Sequence, residues 1–332
     1  MFVFGDSLYD TGNNQYWNGS SPNAAGQFPY GETYFKRATG RASDGRLVPD
    51  FIAMFASLPL IPPYLQPGNH DFSYGTNMAS GGAGALDETH PNTSMNLHTQ
   101  LGYFRNVKQW LEQNLGETEA RRLLRRSVFL FSIGVNDYFA FLESNPNPNI
   151  SAHREFAGKV IANIMSVVRE IYAMGGRKMA FQNVGPFGSA PISKRFTDNS
   201  SNVWSESLMA IARRHNRKLF RVLQRMESRS PGFKYSIFDF YNALYNRIKD
   251  PSKYGFKEVE SACCGSGPYR SDATCGVNGT AGYEMCSNPI EYIFFDPVHP
   301  TEATNWQMAK LFWKGSPRIT SPYNLKQLFK CL

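Results

Sequence analysis

Short, dense apolar runs alternate along the chain with longer stretches in which apolar residues recur every three or four positions. The runs FVF (2–4), SVFLFSIG (127–134), RKMAFQNVG (177–185), KYSIFDF (234–240) and YIFF (292–295) predict strands, and FSYGTNMA (72–79) predicts a shorter one. Most are packed with Phe, Val and Ile instead of alternating with polar residues, the pattern of strands buried on both faces of a parallel sheet. Between them, helical periodicity marks 43–58, with Ser43 and Asp44 as cap candidates, and 97–116, which ends on a Gly. The longest pattern, 151–176, places apolar residues at 156, 160, 161, 164, 167, 168 and 171 on one face. A basic helix near 202–229 stops before Pro231-Gly232, and TEATNWQMAKLFWKG (301–315) follows the last strand. This alternation predicts an α/β fold, a three-layer α/β/α sandwich with a mainly parallel central sheet. No internal repeat or long linker divides it, so residues 1–332 are expected to form a single domain, with a Cys/Gly-rich loop inserted near 261–288.

Composition narrows the class. Apolar residues make up 42% of the 332 and charged residues 19%, enough for a large core. No apolar run reaches the roughly 18 residues of a membrane-spanning helix, since LVPDFIAMFASLPLIPPYL is broken by Asp50 and four prolines. The formal charge of +8 is concentrated in RRLLRR (121–126) and in Arg214, Arg217, Lys218, Arg221 and Arg225, at helical spacing. That is a solvated face, or a surface for an acidic partner such as a cell-wall polysaccharide, a membrane surface or a phosphate-bearing donor. No nucleic-acid-binding motif accompanies it.

Five N-x-S/T sequons, at Asn18, Asn92, Asn149, Asn199 and Asn278, are glycosylation candidates. Four of the five cysteines, Cys263, Cys264, Cys275 and Cys286, are spaced by one, eleven and eleven residues, which suits no zinc pattern but fits a loop stapled by two disulfides. The pairing stays open, and Cys331 is left over. These features favour the secretory pathway and an extracellular (apoplastic) location, the chain carrying no signal peptide before its first strand.

Open α/β sheets place their sites beyond the carboxyl ends of strands. Gly5, Asp6 and Ser7 follow the first strand; Ser80, Gly81 and Gly82 the short second one; Gly134 and Asn136 the third; Asp296 and His299 the last. A serine needs a base to become a nucleophile. Of the six histidines, only His299 both follows a strand and has a carboxylate three residues before it, which lets Asp296 hold Nδ1 while Nε2 faces Ser7. The backbone N–H groups of Ser7 and Gly82 and the Asn136 amide are candidate donors to an oxyanion. Each feature alone has a plainer reading as turn or helix cap. No G-x-S-x-G elbow and no H-E-x-x-H metal motif occurs.

The blocks FGDSLYDTGNN (4–14), NMASGGAG (77–84), GVNDY (134–138) and DPVHPTEA (296–303), with GRASDGRLVPDFIA, NVGPFG, RRHNRKL and ACCGSGPY between them, resemble the plant GDSL esterase/lipases of the SGNH hydrolase superfamily over nearly the whole chain. The resemblance implies a flavodoxin-like fold and no cofactor. It makes Ser7, Asp296 and His299 the catalytic triad and Ser7, Gly82 and Asn136 the oxyanion hole. Two departures are Ser189, where many relatives carry Cys after the N-x-G-P-x-G run, and Gln15 in place of a third Asn. The expected activity is hydrolysis of a small-molecule or lipid ester through an acyl-enzyme. Alternatives are an acyltransferase using a donor such as an acyl-CoA plus an alcohol, and a non-catalytic secreted binding glycoprotein. Oligomeric state is not legible.

Overall fold

The computed structural model describes residues 1–17, 19, 24–196, 202–277 and 282–331. Its sheet runs in the order β1 (Phe2–Gly5), β2 (Val128–Ser132), β3 (Lys178–Gln182), β4 (Lys234–Phe238), then β7 (Thr320–Pro322). The first four pair in parallel and β7 joins antiparallel to β4. Every residue of β1, β2 and β3 is buried, as their dense apolar centres predict, and the polar ends Ser132, Lys178 and Gln182 are buried with them.

Register accounts for the phenylalanines. Phe2 lies beside Phe129 and Phe4 beside Phe131, their rings stacked at 5.4 and 5.0 Å, and Phe131 stacks in turn on Phe181 at 4.9 Å. Phe104 of helix α2 (Leu97–Leu115) caps this ladder, its ring edge-on to Phe2, Phe4 and Phe129 at 5.3 to 5.9 Å. Such aromatic pairs add about 0.5–1.5 kcal/mol each beyond their buried area. The ladder therefore ties α2 and three strands into one core.

Helices flank the sheet in two groups. Helix α2 packs beside α3 (Glu117–Arg126) and α5 (Ile150–Ala173), and α5 beside α6 (Val203–Arg229), which also contacts α4 (Val135–Ser144). The other group joins α1 (Val48–Phe55), α7 (Phe240–Lys249), α8 (Glu302–Lys314) and α9 (Leu325–Lys330). Among the described residues no helix is long and apolar enough to cross a membrane.

Two predicted strands are corrected. Residues 72–79 contribute isolated bridges at Asn77 alone, to Val3 and to Pro63, so the edge strand expected beside β1 shrinks to one residue. It still lies where a flavodoxin-like order requires, on the far side of β1 from β2. Residues 292–295 are not a strand of the sheet: Tyr292 bridges Glu258, and Phe294 bridges Pro300 across a tight turn closed by Phe295 N–H to His299 O at 2.7 Å. Their apolar density reflects burial of Ile293, Phe294 and Phe295 in the core, not sheet pairing. The first helix is also shorter than its pattern. It starts at Val48 with Asp50 accepting from Leu47 N–H. Ser43 and Asp44 instead tie this segment to α8, through Pro300 O and Glu302 N–H.

The Cys/Gly-rich stretch holds a small antiparallel pair, β5 (Cys264–Gly265) with β6 (Glu284–Met285). Disulfides join Cys263 to Cys286 and Cys264 to Cys275, which resolves the pairing left open above, and Cys331 is unpaired. Asn92 and Asn149 are exposed, Asn149 capping α5 through its side-chain oxygen. Asn18, Asn199 and Asn278 lie outside the described residues.

Candidate active site

The turn after β1 is built by its own backbone. Asp6 N–H donates to Ser132 O, while Tyr9 N–H and Asp10 N–H both return to Asp6 O. Gly5 is obligatory here, because a Cβ at that position would sit 2.3 Å from Ser132 O. Gln100 of α2 holds the same residue from the other side, accepting from Gly5 N–H and donating to Gly5 O. The result lifts Ser7 into a cleft, half-buried between fully buried Asp6 and Leu8.

The turn 295–299 brings the other two groups. His299 Nε2 lies 2.7 Å from Ser7 Oγ, and its Nδ1 lies 2.8 and 2.7 Å from the two carboxylate oxygens of Asp296. Asp296 also accepts from Val298 and His299 N–H at 2.9 and 2.8 Å and from Tyr30 OH at 2.8 Å. It is thus no cap for α8, whose N-cap is Thr301. Burial opposes charge on both partners. For His299 this is outweighed by the charge and hydrogen bond of Asp296, with Asp6 adding to it, so the imidazole ends above its ordinary 6.5. For Asp296, burial is outweighed by His299 and the backbone donors, which hold the carboxyl below its ordinary range.

Donors converge on the same cleft. Among the described residues the N–H groups of Ser7 and Gly82 donate to no protein acceptor. Gly82 takes φ +82°, a conformation few residues other than Gly adopt. Asn136, at the start of α4, gives one amide hydrogen to Ala83 O at 2.9 Å, which leaves the second available. The neighbouring loop is clamped by Asp137, which accepts from Ala85 N–H, Leu86 N–H and Thr89 Oγ1 at 2.7 to 3.0 Å.

Three contributors went unnoticed in the sequence. Asn14 Nδ2 donates to Gly81 O at 2.9 Å, holding the peptide unit whose N–H belongs to Gly82, and Asp10 accepts from Gly81 N–H at 3.0 Å. Tyr30 joins Asp296 across 266 residues of sequence. The spacing of Asp10 and Asn14 inside the first block was the available signal for the first two; nothing local marked Tyr30. Of the remaining histidines, His90 binds Gly82 O through Nδ1 at 2.8 Å at the rim of the site. His98 pairs with Asp87, and His215 lies buried against Tyr138 OH, its pKa driven down to about 3 by burial.

The cleft encloses about 360 Å³, walled by Leu8, Ala25, Tyr30, Val135, Phe139 and Phe187, with Cys275 of the stapled loop on its rim. Cys263 and Cys264 N–H donate to Phe294 O and Phe295 O, so the disulfides brace the turn that carries Asp296 and His299. Among the described residues no group of three or more His, Cys, Asp or Glu side chains is placed to hold a metal. An imidazole between a hydroxyl and a carboxylate, facing free N–H donors, can deprotonate the hydroxyl and hold negative charge developing on a bound carbonyl.

The model of the family described as GDSL-like Lipase/Acylhydrolase matches residues 1–312. The chain is 46% identical to GDSL esterase/lipase 1 of Arabidopsis thaliana and 45% identical to GDSL esterase/lipase 4 of the same plant, each match covering 99% of this chain and 90% of the relative. It is 44% identical to the GDSL lipase of Tanacetum cinerariifolium, over 99% of this chain and 87% of that protein. The four blocks that meet in this cleft and this nearly end-to-end similarity have one reading: the chain belongs to the GDSL-like lipase/acylhydrolase family.

Proposed function

We propose that the protein is a serine hydrolase of carboxylic esters. The observation that carries this reading is the placement of His299 between Ser7 Oγ and the Asp296 carboxylate. His299 Nε2 takes the Ser7 proton as Oγ bonds to the ester carbonyl carbon. The carbonyl oxygen becomes an oxyanion facing Ser7 N–H, Gly82 N–H and the Asn136 amide. As the C–O bond to the leaving group breaks, His299 returns the proton to the departing alkoxide and an acyl-serine remains. Water then attacks that acyl group, giving its proton to His299, and Ser7 is restored as the free acid leaves. Asp296, pinned by Tyr30, fixes the tautomer and stabilises the imidazolium. A cleft of about 360 Å³ falls near the lower end of small-molecule sites, about 300–1,000 Å³, and suits a small ester.

Replacement of Ser7 by Ala tests the reading. Hydrolysis of a p-nitrophenyl ester and labelling by a fluorophosphonate should both disappear. Full activity in Ser7→Ala would remove Ser7 from the chemistry, and an unlabelled, inactive wild-type protein would favour the binding-glycoprotein alternative. The apolar walls of the cleft favour a second reading, in which an alcohol replaces water in the last step and a new ester forms. Product partition between acid and ester, measured with an activated acyl donor and a panel of alcohols, separates the two. The two disulfides support export through the secretory pathway, and the chain is read as one domain with the 261–288 loop as an insertion.

A further inference from the structure

A second cleft, of about 380 Å³, opens on the same carboxyl edge of the sheet beyond β3 and β4. It lies three strands from Ser7, roughly 14 Å at the usual strand spacing. Arg213, Arg217 and Arg221 line it from α6, and Arg318 lines it from the segment before β7. Arg214, which sequence spacing had grouped with Arg217 and Arg221, does not: its Nε is buried without a partner. Steps of four residues bring 213, 217 and 221 onto one face and spread them over about 12 Å of helix.

The charge here is only partly compensated, four arginines lining the cleft with one carboxylate. Arg213 is fixed by Tyr241 OH at 2.7 Å, and among the described residues Arg217, Arg221 and Arg318 form no ion pair or side-chain hydrogen bond. The one carboxylate in the cleft, Asp239, is occupied by amide donors, Asn183 Nδ2, Asn242 N–H and Asn242 Nδ2. Four arginines from two elements line one concave surface with a single carboxylate among them, a net positive charge that an entering anion would offset. Guanidinium forks match phosphate oxygens bidentately, and a row of this length exceeds a single phosphate. Phe220, 39% exposed, adds an apolar face in the same cleft.

We propose that this cleft binds an organic diphosphate, its phosphates on Arg217, Arg221 and Arg318 and its organic part against Phe220. The site is independent of the ester chemistry proposed for Ser7. Titration calorimetry of the full chain with ADP and with inorganic pyrophosphate tests it. Both should bind saturably. The double variant Arg217→Gln/Arg318→Gln, two exposed positions, should weaken both by at least about tenfold. Phe220→Ala should weaken ADP and leave pyrophosphate unchanged. Arg125→Gln, on the exposed face of α3, should change neither. The proposal is overturned if the wild-type protein shows no saturable binding at millimolar ligand. It is equally overturned if the double variant binds as the wild type does, or if Arg125→Gln weakens binding as much as the double variant. Tighter binding of an oligogalacturonate than of ADP would replace the diphosphate by a polycarboxylate.

Discussion

Asn14 offers the most direct test of how the oxyanion donors are held. Its Nδ2 donates to Gly81 O, and its Oδ1 accepts from Ser80 Oγ at 2.6 Å, which in turn accepts from Met95 N–H at 3.0 Å. The Gly81 carbonyl and the Gly82 N–H share one peptide unit, so a donor on the oxygen both orients the N–H and polarises it. Asn14→Ala removes one hydrogen bond, worth about 1 kcal/mol, and takes from buried Ser80 its best acceptor, about another 1 kcal/mol. At about 2 °C per kcal/mol for a chain of this size, Tm should fall by about 4 °C. Deleting an oxyanion donor outright costs about 10²–10³ in rate; freeing the peptide that carries it should cost less, about 10- to 100-fold in kcat with KM nearly unchanged. Ser80→Ala is the control, since it loses comparable stability but leaves the Asn14 donor on Gly81. Steady-state kinetics on a p-nitrophenyl ester and thermal melts of both variants decide the matter. An unchanged kcat in Asn14→Ala, or an equal loss in Ser80→Ala, would refute the reasoning.

Because Asp296 holds the His299 pKa above 6.5 and only neutral imidazole accepts the Ser7 proton, the acid limb of kcat/KM should lie above pH 6.5; Asp296→Asn should move it downward while lowering kcat, and a limb that stays in place would contradict this. Burial raises Asp6 to about 7 and Asp10 and Asp137 to about 6, each from 3.8, so the folded protein binds more protons than the unfolded chain between about pH 4 and 7. Their contribution to stability is complete below pH 4 and declines as pH rises to 7. Asp6→Asn, which copies the protonated form, should therefore gain stability relative to wild type at pH 7.5 compared with pH 5 in urea unfolding, and parallel curves would argue otherwise. Reducing both disulfides frees loops of 23 and 11 residues separation, each worth about 3 kcal/mol. Activity should fall together with Tm, because the staple braces residues 294–295, whereas a melt that drops with kcat intact would detach the loop from the site.

Tyr30→Phe should lower kcat by about tenfold through loss of a hydrogen bond to a charged acceptor, about 1.5 kcal/mol; activity equal to wild type would show that the backbone donors alone hold Asp296.

Much of the site was legible because its groups stand where a repeated pattern ends. A buried parallel strand announces itself by an unbroken apolar run, and the residue after the run is at the sheet edge whatever the loops do. Ser7 and Asn136 could therefore be placed on one edge from local pattern alone. His299 meets Ser7 Oγ, but not from a strand end: residues 292–295 are buried in a turn, and burial writes the same apolar run that a strand does. Other elements were missed for a different reason. The antiparallel strand 320–322 is three residues long, too short for a period to show, and α4 begins just after its N-cap Gly134, close behind the end of β2. Local sequence thus determined the four parallel strands in their order and the polar residues that follow them. What it left to the tertiary structure were contacts made across long separations, Tyr30 with Asp296, Asn14 with Gly81, the disulfide loop against the active-site turn, and Arg318 facing α6. Hydrogen bonds and charges act over a few ångströms in space, and no periodicity along the chain encodes which distant residues will be brought within that reach.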